Sequence, residues 1–107
     1  MFVLVAASVV WAAAFQSSAA DGARSTLRTC ISQAVTEAKG QNVTADGFSA
    51  FVMQKCTSQA ATFKSAVWAF DSKNKVSRKQ SESDSDMQIE DFVSSAEARF
   101  RRENQPR

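Results

Sequence analysis

The chain has no histidine and no tyrosine, and it holds three glycines, one proline and two cysteines in 107 residues. Without histidine there is no Ser-His or Cys-His pair, and the usual general base near neutral pH is missing. Two thiols without imidazole leave too few donors for a typical zinc site. The cysteines are not spaced as C-x-x-C, so a redox-active pair is not expected. No glycine-rich phosphate loop is present. We therefore expect no catalytic, cofactor-binding or metal-binding residue, and no enzyme. Glu37, Asp46, Glu90, Asp91 and Glu97 fall on polar helix faces and read as solvated surface. The formal net charge of +2 is too mild to imply a nucleic-acid partner.

Charge is also absent from residues 1–20. Phe2 to Phe15 is an uncharged apolar run of about 14 residues. As a helix it would span ~21 Å, short of the ~30 Å hydrocarbon core of a bilayer. That length suits the apolar core of an export signal better than a membrane span. Ser18-Ala19-Ala20 then offers small residues for signal cleavage, with Asp21 opening the mature chain; Ala12-Ala13-Ala14 and Ser17-Ser18-Ala19 are alternative sites. No Lys or Arg precedes the run, so an uncleaved anchor and a buried N-terminal helix stay open. The expectation is an exported, periplasmic or secreted protein that meets a membrane only through residues 1–20 before cleavage. Residues 21–107 would form one small domain with a thin core, since ~87 residues can bury only ~60–65% of their unfolded surface.

With so little glycine and proline to punctuate it, the chain reads as long helices. Helix A is expected from about Ser25 to Lys39, where Leu27, Cys30, Ile31, Ala34, Val35 and Ala38 follow the spacing of one helical face. Gly40 is the expected left-handed stop. Gln41-Asn42-Val43 forms a turn, and Thr44 is the expected N-cap of the next helix. Asn42-Val43-Thr44 also fits a glycosylation sequon, relevant only in a eukaryotic secretory pathway. Helix B should run from Ala45 to at least Asp71, on a stripe of Phe48, Val52, Cys56, Gln59, Phe63, Ala66, Val67 and Phe70. Residues 72–86 lose the stripe and read as a solvated extension or a linker. Helix C is expected over Met87 to Arg102, with Ile89, Phe92, Val93, Ala96 and Phe100 on one face and Ser85 with Gln88 as a capping box. The tail from Glu103 to Arg107 is expected to fray.

Cys30 and Cys56 sit at nearly equal heights from the turn between helices A and B, ~15 and ~18 Å at ~1.5 Å per residue. Both lie on the inward stripes. Antiparallel axes ~8–10 Å apart allow the ~4.4–6.8 Å Cα separation of a disulfide. The fold expected is all-α: an antiparallel helical hairpin pinned by one disulfide, with a third, C-terminal amphipathic helix, as a small three-helix bundle or an open arrangement.

Two surface features stand out. Trp68 lies off the main stripe of helix B, beside Ala50, Ala61 and Lys64; either helix C packs there or a partner does. Lys73, Lys75, Arg78 and Lys79 form a basic run suited to an anionic surface such as lipid head groups or a cell-wall polymer. Glu82, Asp84 and Asp86 follow closely enough to cancel part of its field. Cys56-Thr57 followed by Phe63-Lys64 resembles the second cysteine segment of small acid-stress periplasmic chaperones. That resemblance implies an exported, all-helical, single-disulfide protein and a holdase activity. The leading expectation is a non-enzymatic exported adaptor that binds a protein or an envelope component through Trp68, the basic run and helix C. The alternative is an acid-stress holdase that opens when its carboxylates protonate.

Overall fold

A computed structural model describes the backbone of residues 2–104 and the side chains of residues 18–104. Four helices follow one another: α1 (Phe2–Gly40), α2 (Phe48–Lys55), α3 (Thr57–Lys73) and α4 (Arg78–Glu103). Among the described residues there is no strand. The fold is all-α. α1 runs one way, α2 and α3 return as a nearly continuous rod, and α4 runs parallel to α1. Lys39 near the end of α1 pairs with Glu103 at the end of α4, and Arg24 donates to Gln88 Oε1 at 3.2 Å further back.

The core is built from the expected stripes. Leu27, Ile31, Ala34, Val35 and Ala38 of α1 are buried against Phe48, Val52, Cys56, Ala60, Phe63 and Val67, and Ile89, Val93, Ala96 and Phe100 of α4 close the bundle. Phe48 and Phe100 stack with centroids 4.7 Å apart. Phe63 meets Phe92 at 6.4 Å. Offset and tilted rings such as these add to the value of the area they bury. Gln59, the polar break in the helix B stripe, has its Oε1 buried without a hydrogen-bond partner.

The disulfide joins Cys30 to Cys56, with Cα atoms 5.9 Å apart. Cys56 is also where the second rod is interrupted. Its backbone takes φ −111° and ψ 20°, which separates α2 from α3. The hydrogen bonds nevertheless run through: Cys56 N–H donates to Val52 O at 2.9 Å and Ala60 N–H to Cys56 O at 2.9 Å. Thr57 Oγ1 donates to Met53 O at 2.7 Å, the back-bonding by which a threonine bends a helix. One helix from about Ala45 to at least Asp71 is the expectation; the rod instead starts at Phe48 and is interrupted at Cys56, while its end at Lys73 agrees.

Other boundaries differ for physical reasons. α1 begins at Phe2 rather than Ser25, because nothing between the apolar run and the stripe breaks a helix. The side chains of Phe2 to Phe15 lie outside the described residues. Gly40 closes α1 without a positive φ; the left-handed residue is Asn42, at φ 57°. Asparagine tolerates that region better than most residues. Val43 N–H then returns to Ala38 O at 3.0 Å, and Val43 packs on the core. Thr44 caps no helix start directly. Its Oγ1 accepts from Gly47 N–H at 3.1 Å, and Gly47 precedes α2.

The largest correction concerns residues 72–86. Most of this segment is α4, which starts at Arg78 rather than Met87. Ser77 is the N-cap, its hydroxyl accepting from Gln80 N–H at 3.1 Å. Ser85 is not a cap. It is buried within the helix and its Oγ donates to Ser81 O at 2.9 Å. Ser81 is buried as well, so the two serines carry the stripe of Ile89, Val93 and Phe100 a further two turns toward the N-terminus. Glu103 belongs to α4 rather than to a frayed tail, whose last residues, Gln105 to Arg107, lie outside the described residues.

Candidate functional site

α3 ends and α4 begins at one tip of the bundle, and the chain between them is short. Asn74 N–H and Val76 N–H both donate to Asp71 O at 3.0 Å, while Asn74 Nδ2 donates to Phe70 O at 2.8 Å. These bonds satisfy the last carbonyls of α3, and Lys75 takes the left-handed backbone, φ 63°, that the closure demands. The tight turn sets Arg78 directly over Trp68, its guanidinium carbon 5.3 Å from the ring centroid.

The structure thus gathers the expected contact residues Trp68, Lys73, Lys75, Arg78 and Lys79 at the end of the helical hairpin that α3 and α4 form. Trp68 is half-buried and the four cations are exposed. α4 does pack on the Trp68 side of α3, through Arg78, Ser81 and Ser85. Arg78 is also paired with Glu82 at 3.3 Å. The other carboxylates expected to cancel the basic field are engaged too: Asp86 pairs with Lys64 at 2.8 Å, and Asp84 accepts from Gln80 Nε2 at 2.8 Å. Among the described residues, Lys73, Lys75 and Lys79 enter no ion pair.

A groove follows the seam between the second rod and α4. Its floor is Ala60, Ile89 and Val93, and its walls are lined by Met53, Thr57 and Ser94; it encloses about 640 Å³. Beyond the Lys64–Asp86 pair it continues into a second hollow of about 320 Å³ bounded by Ala61, Trp68 and Ser85. Sequence reasoning missed this seam, because its α4 wall includes residues taken for a linker.

Ion pairs tie the helices at their ends. Lys39 and Glu103 join α1 to α4, Arg101 reaches Asp46 at 3.5 Å, and Lys55 meets Glu37 at 3.5 Å. The hydrogen bond from Lys39, with its positive charge and those of Arg99 and Arg102, holds the Glu103 carboxyl below its ordinary pKa. Among the described residues no group of three or more His, Cys, Asp or Glu side chains is placed to hold a metal ion, and no helix is long and apolar enough to cross a membrane. Set against known protein families, curated proteins and solved structures, the chain matches none of them.

Proposed function

We propose that the chain is an exported, non-enzymatic helical adaptor whose basic tip docks on an anionic surface of the cell envelope. The observation that carries this reading is the clustering at the α3–α4 turn, where Lys73, Lys75 and Lys79 stand exposed around the Arg78–Trp68 stack. A basic patch near a membrane gains roughly 1 kcal/mol per cation from an anionic leaflet. An amphipathic aromatic beside it suits the boundary between water and head groups. The disulfide fits an oxidising compartment, as export supplies. Cleavage after Ala20 would remove the buried Ala20 but leave the core cluster from Ala23 and Leu27 onward. Asp21 would then open α1, where a carboxylate is favoured by the helix dipole.

The test is co-sedimentation of the exported protein with phosphatidylglycerol vesicles and with phosphatidylcholine vesicles. Binding to the anionic vesicles only, falling as salt rises and lost in Lys73→Glu/Lys75→Glu, supports the reading. Binding that ignores lipid charge, or no binding at low salt, overturns it.

One observation favours a holdase as a second reading. Three ion pairs hold α4 to the rest of the bundle, to α1 through Glu103, to α3 through Asp86 and to the α1–α2 turn through Asp46. Loss of these pairs would loosen the helix that covers Phe48 and Phe63. Protection of an unrelated client from aggregation at pH 3 but not at pH 7 would favour this reading over the adaptor.

A further inference from the structure

We infer that the cleft between α1 and α4 is a binding site for the phosphate group of a small soluble anion. The inference is independent of the anionic-surface reading, whose residues lie at the α3–α4 turn. It rests on four side chains that two parallel helices bring to one hollow, and on a lining that holds no carboxylate.

The register of α1 and α4 sets the arrangement. Lys39 bonds to Glu103 and Arg24 to Gln88, each across a separation of 64 residues. Arg28 keeps the same register, its guanidinium carbon 5.5 Å from the ring centroid of Phe92. The two helices therefore run in step, with Ser95 level with Ile31, and Arg99 level with Val35. On α1 the order is Arg28, then Ser32 one turn on; on α4 it is Ser95, then Arg99 one turn on. Parallel helices thus put the two serines at mid-height and one arginine at either end. The arginine levels stand ~10 Å apart, so each guanidinium has ~5 Å to cover along the axis to reach the serines. Ile31, Phe92 and Ala96 form the floor, and the cleft encloses about 200 Å³.

Charge and shape set the ligand. Among the described residues Arg28 and Arg99 enter no ion pair. Arg28 meets Phe92 through the face of its guanidinium, which leaves the N–H groups in the plane free to donate. Of the carboxylates on the two helices beside the cleft, Asp21 is held by Arg24 and Glu103 by Lys39. Asp91, one turn before Ser95, lies outside the lining and competes for the arginines from its flank. Two guanidiniums and two hydroxyls converge on one hollow. A phosphate monoester, with three terminal oxygens and about two negative charges, can use the whole set; a carboxylate has two oxygens and leaves donors unpaired. Volume limits the rest of the ligand. Sites for drug-sized molecules start at ~300 Å³, so what fits here is a phosphate on a small body resting against Ile31 and Phe92. Ser95 lies ~24 Å along α4 from Lys79, so a bilayer docked at the basic tip does not reach the cleft, and the anion comes from solution.

The experiment is an NMR titration of the disulfide-intact protein with phenyl phosphate at fixed ionic strength, with benzoate as the carboxylate control. The Nε–H signals of Arg28 and Arg99 should move with the amides of Ser32 and Ser95 on one binding curve, and phenyl phosphate should bind more tightly than benzoate. Arg28→Gln and Arg99→Gln should each weaken binding roughly tenfold or more, as the loss of a charge-assisted hydrogen bond predicts. Lys55→Gln, which removes the same charge from the second rod, should leave it unchanged, and Asp91→Asn should tighten it. Unchanged helical circular dichroism keeps misfolding out of the comparison. No binding, shifts spread evenly over the surface cations, binding that neither arginine variant weakens, or benzoate held as tightly as phenyl phosphate overturns the inference. Co-sedimentation with phosphatidylglycerol vesicles tests the source of the phosphate. It should be the same for the Arg28→Gln/Arg99→Gln protein as for the native one; its loss in that variant would assign the cleft to a lipid head group and overturn the soluble ligand.

Discussion

Asn42 and Lys75 hold the left-handed backbone that ends α1 and α3, and Gly40 stands two residues from the first of them without using its freedom. A Cβ on Gly40 would meet nothing within 4 Å. Gly40→Ala should therefore raise stability by ~0.4–1 kcal/mol, by removing unfolded-state freedom at a site alanine can occupy. Asn42→Ala should cost ~1 kcal/mol, because alanine is strained where asparagine is tolerated. Urea denaturation of the two variants reads both signs at once, and the opposite order would place the stop at Gly40 after all. Glu103 gives a second residue-scale prediction. Its folded pKa lies below its ordinary value, chiefly through the Lys39 hydrogen bond. A depressed carboxylate stabilises the fold above its unfolded pKa, and that contribution disappears as the pH falls through the lower, folded value. Amide exchange in the last turn of α4 should rise across this acid window, and Glu103→Gln should show the faster exchange already at neutral pH.

α4 is the element where sequence and structure part most. Its second half was legible because Ile89, Val93, Ala96 and Phe100 are apolar at helical spacing. Its first half was not, because the positions that continue the stripe hold Ser81 and Ser85, which read as polar although both are buried. Small size matters there more than polarity: the hydroxyl of Ser85 is satisfied by Ser81 O, leaving a low ridge on which α3 and the Trp68 side can close. The second rod was misread in the same way at one point. The apolar spacing runs straight through Cys56, while the interruption there sits beside the bond from Thr57 back to Met53 O, a competition that periodicity does not register. The basic run was legible as a run, but its gathering with Trp68 depended on the turn at Lys75. The first half of α4 hangs on its cap. Ser77→Ala should cost ~1 kcal/mol, since the Gln80 N–H loses its acceptor. Fast exchange should spread from Arg78 toward Asp86 and stop before the aromatic contacts of Phe92. Uniform loosening of the whole helix would mean that the N-terminal half is held by packing instead.

At the scale of the whole molecule, the bundle is two antiparallel rods with a third helix laid over them, and the disulfide ties the rods in the part nearer the α1–α2 turn. The hairpin spacing made that pairing readable: equal heights from one turn and inward faces on both helices are sufficient to predict it. The disulfide closes the chain over a sequence separation of 26 residues. Loop-closure entropy for such a span suggests ~3–4 kcal/mol, against a total of ~5 kcal/mol for a domain with so thin a core. Cys30→Ser and Cys56→Ser should each lower stability by ~2–4 kcal/mol. The two are not equivalent. Cys56 is fully buried and Cys30 is half-buried, so serine at 56 also places a hydroxyl in the core and should be the worse of the pair. Reductant supplies the control. It should shift the thermal midpoint of the native protein toward those of the variants and leave the variants where they are. A native midpoint indifferent to reductant would mean that the helix contacts alone hold the rods together, and that Cys30 and Cys56 pack without bracing the bundle.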